Sequence, residues 1–182
     1  MDRYRFLMSG SGGQGVITMA ILLAEAAAIY EGRNAVQSQS YGPEARGGAT
    51  RSDVIVSDGP IYFPKVTQPN YLVALTNEAM GKYLPLIRPG GMCLYDSDLV
   101  QPDLRVDARR KGLPMHQAVL DTLGLPVAFN ICVLGALAAL TRVVSLGALE
   151  KVLESRFAPA HHKNNKTALH LGAELARPHV DD

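Results

Sequence analysis

Cysteine is scarce in this sequence, with two among 182 residues, and tryptophan is absent. Cys93 and Cys132 lie far apart in apolar stretches, whereas an iron–sulfur cluster needs four thiolates, commonly in closely spaced runs. We therefore expect buried core thiols and no cluster held by this chain alone. Two cysteines without a signal-peptide pattern also fit a reducing cytoplasm better than a disulfide framework.

An excess of charge of one sign is missing too. The chain has 18 basic and 17 acidic residues and a net charge of +1. Without a basic stripe interleaved with aromatic residues, a nucleic-acid groove is excluded. The histidines are scattered, and the adjacent pair His161-His162 cannot present both rings on one helix face, so no metal site is expected. No motif for nucleophilic catalysis appears either, and no catalytic residue is assigned.

Long hydrophobic runs are lacking as well. The two most apolar segments, residues 16–30 and 127–140, are shorter than the roughly 20 residues that span a bilayer, so no membrane span is expected. A helix that is apolar on all sides is instead buried. We expect the first to pack on a sheet and the second to be covered by the last helices or by a partner chain. Such surfaces also predict self-association when partners are absent.

Apolar strands alternate with helices along the chain. This order predicts an α/β fold: a single domain over residues 1–182 with a mixed, mainly parallel sheet, flanking helices and one β-hairpin. The hairpin is expected to join residues 49–57 to 61–63 through an Asp-Gly turn. Further strands are predicted at 4–8, 34–40, 71–75, 92–95 and 104–108, and helices at 14–30, 78–86, 115–123, 127–143, 147–157 and 165–177.

A glycine-rich string follows the first strand and opens the first helix. Such a turn lets backbone N–H groups and the positive helix end approach an anion closely. A dinucleotide site would also need a carboxylate at the end of the second strand, and none is present there. The alternative is that the glycines only permit a tight turn. Gln14 is expected to form a hydrogen bond with an anionic ligand or with a neighbouring subunit. The string consists of Gly10, Ser11, Gly12, Gly13, Gln14 and Gly15.

A second string follows the predicted second strand. It combines flexible glycines with a fixed positive charge, and in a parallel sheet it would leave the same edge as the glycine string, from a neighbouring strand. Loops of this kind commonly carry function. The alternative is a surface loop in which Arg46 pairs with Glu44 and contributes little. The residues are Tyr41, Gly42, Pro43, Glu44, Ala45, Arg46, Gly47 and Gly48.

Together, the strings GSGGQG and YGPEARGG resemble the gamma subunit of 2-oxoacid:ferredoxin oxidoreductases. The resemblance continues through LIRPGG at residues 86–91 and through Asn130 and Gly135, and covers about residues 4–176. It implies an accessory subunit, near the thiamine or coenzyme A region, of a complex that oxidatively decarboxylates a 2-oxoacid to acyl-CoA and reduces ferredoxin. The implied cofactors of the complex are thiamine diphosphate, Mg²⁺, iron–sulfur clusters and coenzyme A. The implied partners are thiamine-binding alpha- and beta-type subunits and a ferredoxin-type subunit.

The remaining polar residues support an accessory role. Ser57-Asp58-Gly59 is interpreted as a turn. In related thiamine diphosphate enzymes, a G-D-G segment and a downstream asparagine pair hold the magnesium–diphosphate group. Here Asn164-Asn165 follows more than a hundred residues later, so the two segments are not expected to form such a site. Asp96 and Asp98 are read as turn formers rather than as acid and base. Asn130, costly to bury without partners, is expected to bridge toward the glycine string or a partner, or to be a satisfied core amide.

Three hypotheses for function remain open at this point. In the first, the two strings form one surface facing the thiamine or coenzyme A region of the complex. In the second, the chain is a free-standing nucleotide-binding or regulatory protein that uses the glycine string. In the third, it is an assembly scaffold whose loops are buried in protein contacts.

Overall fold

The computed structural model of the chain describes residues 2–39, 49–102 and 104–180. Within these ranges, strands and helices alternate over most of the length. The strands are β1 (Arg3–Gly10), β2 (Asn34–Gln39), β3 (Thr50–Ser57), β4 (Tyr71–Ala74), β5 (Met92–Asp96) and β6 (Arg109–Leu113). The α-helices are α1 (Val16–Glu25), α2 (Asn77–Tyr83), α3 (Met115–Leu123), α4 (Phe129–Thr141), α5 (Leu146–Arg156) and α6 (Pro159–Ala176).

The described strands form one mixed sheet in the order β2-β3-β1-β4-β5-β6. Strands β1, β4, β5 and β6 are parallel, whereas β3 is antiparallel to both of its neighbours, β1 and β2. The predicted mixed, mainly parallel α/β fold is therefore confirmed. Strands β1 and β2 run in the same direction and end at the same edge, but β3 lies between them. The prediction that the two loops leave neighbouring strands is wrong in this respect.

The predicted hairpin through Asp58-Gly59 does not form. Both edges of β3 are already paired, with β1 and with β2, so residues 61–63 have no edge to join. Asp58 instead pairs with Arg33 at 2.7 Å, while Tyr62 and Phe63 are exposed.

Two other predicted boundaries are wrong. The edge strand expected at 104–108 lies at Arg109–Leu113, where it pairs with β5 from Met92 to Asp96. Helix α6 begins at Pro159, six residues before the predicted start at Asn165. Proline is favoured at a first helical position because it has no N–H to leave unpaired. Other helices agree closely with the prediction, and Ser145 caps α5 by accepting the N–H of Ala148 at 3.1 Å.

Alternate residues of each central strand face opposite sides of the sheet. Phe6 and Met8 of β1 pack with α1, α4 and the last helices, and Leu7 packs on the other face with α2. The two apolar helices are thus largely buried inside the chain, with α4 covered by α6. Self-association was predicted from exposed apolar helix surfaces, and these two helices do not provide them. None of the described helices is both long and apolar enough to cross a membrane.

Candidate functional site

The glycine loop (residues 10–15) connects β1 to α1, and its glycines serve different purposes. Gly13 and Gly15 have φ angles of 88° and 71°, in the left-handed region that favours glycine. A Cβ added at Gly15 would also stand 2.4 Å from Asn130 Nδ2. Gly12 is exposed, and a Cβ there would meet nothing within 4 Å. A requirement for glycine at Gly12 would therefore not come from the described residues of this chain.

Gln14 fixes the glycine loop to the sheet. Its Oε1 accepts the N–H of Ser11 at 2.8 Å, and its Nε2 donates to the carbonyl of Leu75 at 3.3 Å. Leu75 follows β4 and donates its own N–H to the carbonyl of Ser9 at 2.9 Å. The Gln14 amide thus has partners inside the chain at both ends. It precedes α1, which begins at Val16, rather than forming its first turn as predicted.

Asn130 joins the glycine loop to the first turn of α4. Its side chain is only 8% exposed, and Nδ2 donates to the carbonyl of Gly15 at 3.4 Å. Of the expectations for this residue, the structure shows the bridge to the glycine loop. The pair has to fit closely, because the space that a Gly15 side chain would need is filled by the Asn130 amide.

A cleft of about 680 Å³ lies beside the glycine loop, at the edge where β1 ends. Apolar side chains form much of its wall, and two histidines and two asparagines supply polar groups. His116 is held edge-on against Phe129, with ring centres 5.4 Å apart. The lining consists of Gly13, Gln14, Gly15, Thr18, Leu99, His116, Pro126, Val127, Phe129, Asn130, Ile131, Phe157, His161 and Asn165.

Asp96 stands behind this cleft as a buried turn former. Its Oδ1 accepts the N–H groups of Asp98 at 2.9 Å and Leu99 at 3.2 Å. Its Oδ2 accepts the N–H of His116 at 2.7 Å, which caps α3 from outside the helix. These bonds agree with the turn interpretation rather than with an acid–base or magnesium role.

The second predicted string, residues 41–48, lies outside the described residues. The structure does describe what stands on either side of it. Gln39 pairs with Ser52 of β3, and Thr50 pairs with Gly10 of the glycine loop. Ala49 donates its N–H to Glu78 Oε1 at 3.2 Å. The described residues on either side of this string are therefore at the sheet edge that carries the glycine loop.

The described residues do not provide a set of side chains suited to bind a metal ion or an iron–sulfur cluster. No group of three or more His, Cys, Asp or Glu side chains in this part of the chain could hold a metal ion. Burial raises the pKa of both thiols, Cys93 and Cys132, to about 12. The carboxylate of Asp58 is engaged by Arg33, whose hydrogen bond lowers its pKa. An iron–sulfur cluster or a magnesium–diphosphate group does not fit these residues.

Two histidines and one asparagine of the cleft were not predicted as site residues: His116, His161 and Asn165. They belong to α3 and α6 and are brought together only by the packing of these helices around α4. A partial signal was available, since Pro114 and Pro159 mark the starts of α3 and α6 and thus place both histidines in first turns.

Together, the sheet order, the glycine loop and the adjacent cleft define a mixed α/β fold with a cleft of ligand size at the carboxyl edge of β1. Residues 5–175 match the pyruvate ferredoxin/flavodoxin oxidoreductase family, and the chain belongs to it. It is 42% identical to the 2-oxoglutarate synthase subunit KorC of Methanocaldococcus jannaschii, over 96% of this chain and 95% of that one.

Solved structures agree with this membership. The gamma subunit of a keto/oxoacid ferredoxin oxidoreductase from Geobacter sulfurreducens superposes with a TM-score of 0.88 at 43% identity, covering 96% of this chain and 99% of that one. A 2-oxoglutarate:ferredoxin oxidoreductase from Magnetococcus marinus has the same fold, with a TM-score of 0.86 at 24% identity. That match covers 98% of this chain but 32% of the longer chain. This chain is a gamma-type subunit of a multi-subunit 2-oxoacid:ferredoxin oxidoreductase.

Proposed function

We propose that the complex containing this subunit acts on 2-oxoglutarate, releasing CO₂, forming succinyl-CoA and passing electrons to ferredoxin. The observation that carries the substrate is the 42% identity to a 2-oxoglutarate synthase subunit along nearly the whole of both chains. The free-standing nucleotide-binding or regulatory protein, the second hypothesis, finds no support among the relatives.

This chain would be an accessory subunit in the cytoplasm, forming a single domain over residues 1–182. Thiamine diphosphate, Mg²⁺ and the iron–sulfur clusters would be held by partner chains: thiamine-binding alpha- and beta-type subunits and a ferredoxin-type subunit. Two observations support this division. The two cysteines are buried in separate parts of the core, and the same fold forms about a third of a longer chain in the Magnetococcus enzyme.

Within the complex, we propose that the glycine loop and residues 41–48 face the thiamine or coenzyme A region. Gly10 and Thr50 are paired at this edge, and Thr50 lies two residues after the second segment in the sequence. Coenzyme A carries phosphates, which suit helix starts and the guanidinium of Arg46. Asn130 would act as a positioning residue, because it holds the Gly15 carbonyl.

The assembly and the substrate are tested by purifying the tagged chain at native level from its own host. We expect a brown, multi-chain preparation that reduces ferredoxin or a viologen dye only with an oxoacid and coenzyme A. Its kcat/KM should be higher with 2-oxoglutarate than with pyruvate or 2-oxoisovalerate. A colourless single chain would refute the complex, and a preference for pyruvate would refute the substrate.

The placement of the glycine loop is tested by Gly12→Val. Because a side chain there meets nothing among the described residues, the melting temperature of the variant should stay unchanged, while close approach of a ligand or partner should be blocked. We expect complex activity to fall about tenfold or more, which corresponds to a loss of about 1.4 kcal/mol. The matched control is Gly147→Val on α5, another exposed glycine with free space around it. Unchanged kinetics for Gly12→Val would remove the loop from the mechanism.

A further inference from the structure

Four helices begin around the cleft, and each contributes a residue of its first turn to the wall. Thr18 is the third residue of α1, His116 the second of α3, Asn130 the second of α4 and His161 the third of α6. A helix start carries a partial positive charge and N–H groups without partners in the helix. Their convergence makes this cleft a favourable place for an anion.

Three of these helix starts are left without a compensating negative group. Helix α4 continues a 3₁₀ turn, Pro126–Ala128, so the residues that precede the three helix starts are Gly15, Leu125 and Ala158. None of them provides a side-chain cap, and the first turns contain no acidic residue. Only α3 is compensated, by the buried carboxylate of Asp96. By contrast, α2 and α5 begin away from the cleft and are capped by Thr76 and Ser145.

Asn165 provides an independent sign of a ligand. It lines the cleft one helical turn after His161 and is 8% exposed. Its Nδ2 is buried and has no hydrogen-bond partner among the described residues. A buried amide donor without an acceptor costs free energy, and an acceptor atom bound in the cleft would remove this cost.

We propose that this cleft is an anion-binding site in which Asn165 Nδ2 and the starts of α1, α4 and α6 hold a carboxylate or phosphate group. The lining contains amide and imidazole donors and no carboxylate side chain among the described residues. Apolar walls from Val127, Ile131 and Phe157 suit a ligand with an apolar body attached to the anionic group. The inference deepens the proposed function, on which it relies only for the identity of the ligand.

The test measures binding of inorganic pyrophosphate, 2-oxoglutarate and coenzyme A to the purified full chain, by calorimetry at constant ionic strength. Asn165→Asp keeps the side-chain shape but replaces the donor with a negative charge. We expect it to lower the affinity for the bound anion at least tenfold. The matched control is Asn164→Asp, which makes the same change on the same helix at a residue outside the cleft lining.

The outcomes separate the site from a general charge effect. Affinity that falls for Asn165→Asp and changes less than twofold for Asn164→Asp supports the site, and the tighter of 2-oxoglutarate and coenzyme A identifies carboxylate or phosphate as the group held. No binding by the wild-type chain, or an equal loss in both variants, overturns it. If Asn165→Asp does not fold, Asn165→Ala removes the donor without adding charge and should weaken binding in the same direction. Binding by the isolated chain does not depend on which oxoacid the complex oxidises. The proposed substrate can therefore be wrong while the anion site is correct, and the reverse.

Discussion

Helices α4 and α6 cross so closely that a glycine of each lies against the backbone of the other. A Cβ added at Gly172 would stand 1.8 Å from the carbonyl oxygen of Cys132, and one at Gly135 would stand 1.9 Å from that of Leu169. Both obstacles are backbone atoms, which cannot turn aside as a flexible side chain could. The chain therefore depends on glycine at this crossing for close packing rather than for an unusual φ angle.

We predict that Gly172→Ala strongly destabilises the fold. Since real Cβ atoms are essentially never found within 3.0 Å of such neighbours, the helices would have to separate by more than about 1 Å. Overpacking of a well-packed core costs about 1–3 kcal/mol, and α4 is buried along most of its length. We expect a loss near the upper end, about 3 kcal/mol, or a melting temperature lower by about 6–12 °C for a chain of this size.

The assay is urea unfolding followed by circular dichroism, with Gly147→Ala as the control. Gly147 lies in α5, is exposed, and offers free space for a Cβ. The same substitution there should stabilise the chain by about 0.5–1 kcal/mol, because alanine is the better helix former. Opposite signs for the two variants are the expected result. A Gly172→Ala chain as stable as the wild type would refute the backbone contact.

Three further predictions concern charge, thiols and capping. Glu150 is bonded by Lys166 and His170, and these bonds lower its pKa from 4.5. Glu150→Gln should therefore cost about 0.5–1 kcal/mol at pH 7. In urea titrations this difference should begin to shrink near pH 4.5 and vanish once the pH has fallen through the lowered pKa. Cys93 and Cys132, with pKa values of about 12, should not react with Ellman's reagent at pH 8 until the chain is denatured; fast reaction in the native state would contradict their burial. Ala158→Asp adds the missing cap to α6 and should raise stability by about 1 kcal/mol while weakening anion binding in the cleft; equal or tighter binding, measured by calorimetry, would contradict the role of that helix start.

Local sequence signals predicted most of the sheet and helices correctly. The start of α1 is marked by the glycine loop, and the cap of α5 by Ser145, because both depend on residues within one turn of the helix. The hairpin failed for a non-local reason. An Asp-Gly pair between strand-like segments is a hairpin signal, but β1 and β2 occupy both edges of β3. The Asp-Gly pair alone does not indicate which strands of the chain will pair with β3.

The candidate site was only half accessible to sequence reasoning. The glycine loop and the bridge from Asn130 were anticipated, because glycine spacing and a polar residue in an apolar helix are visible in the sequence. Asn165 was read as a helix start, although Pro159 begins α6. Once the helix is extended by those six residues, Asn165 moves from a capping position to a buried one. Only the crossing of α4 and α6 brings it to the cleft beside His161.

The helix starts around the cleft lack side-chain caps, which lowers the stability of the fold there, whereas α2 and α5 are capped. A cap of the ordinary kind is worth about 1 kcal/mol, and the chain uses such caps at Thr76 and Ser145. It leaves them out at Gly15, Leu125 and Ala158, although Ala158 has the extended conformation (φ −61°, ψ 148°) that a capping residue needs. Stability given up at a binding site is common in proteins because function can require unsatisfied groups there. An anion bound in the cleft would satisfy the three helix starts and the Asn165 amide together, so ligand binding should stabilise the region where α1, α4 and α6 meet.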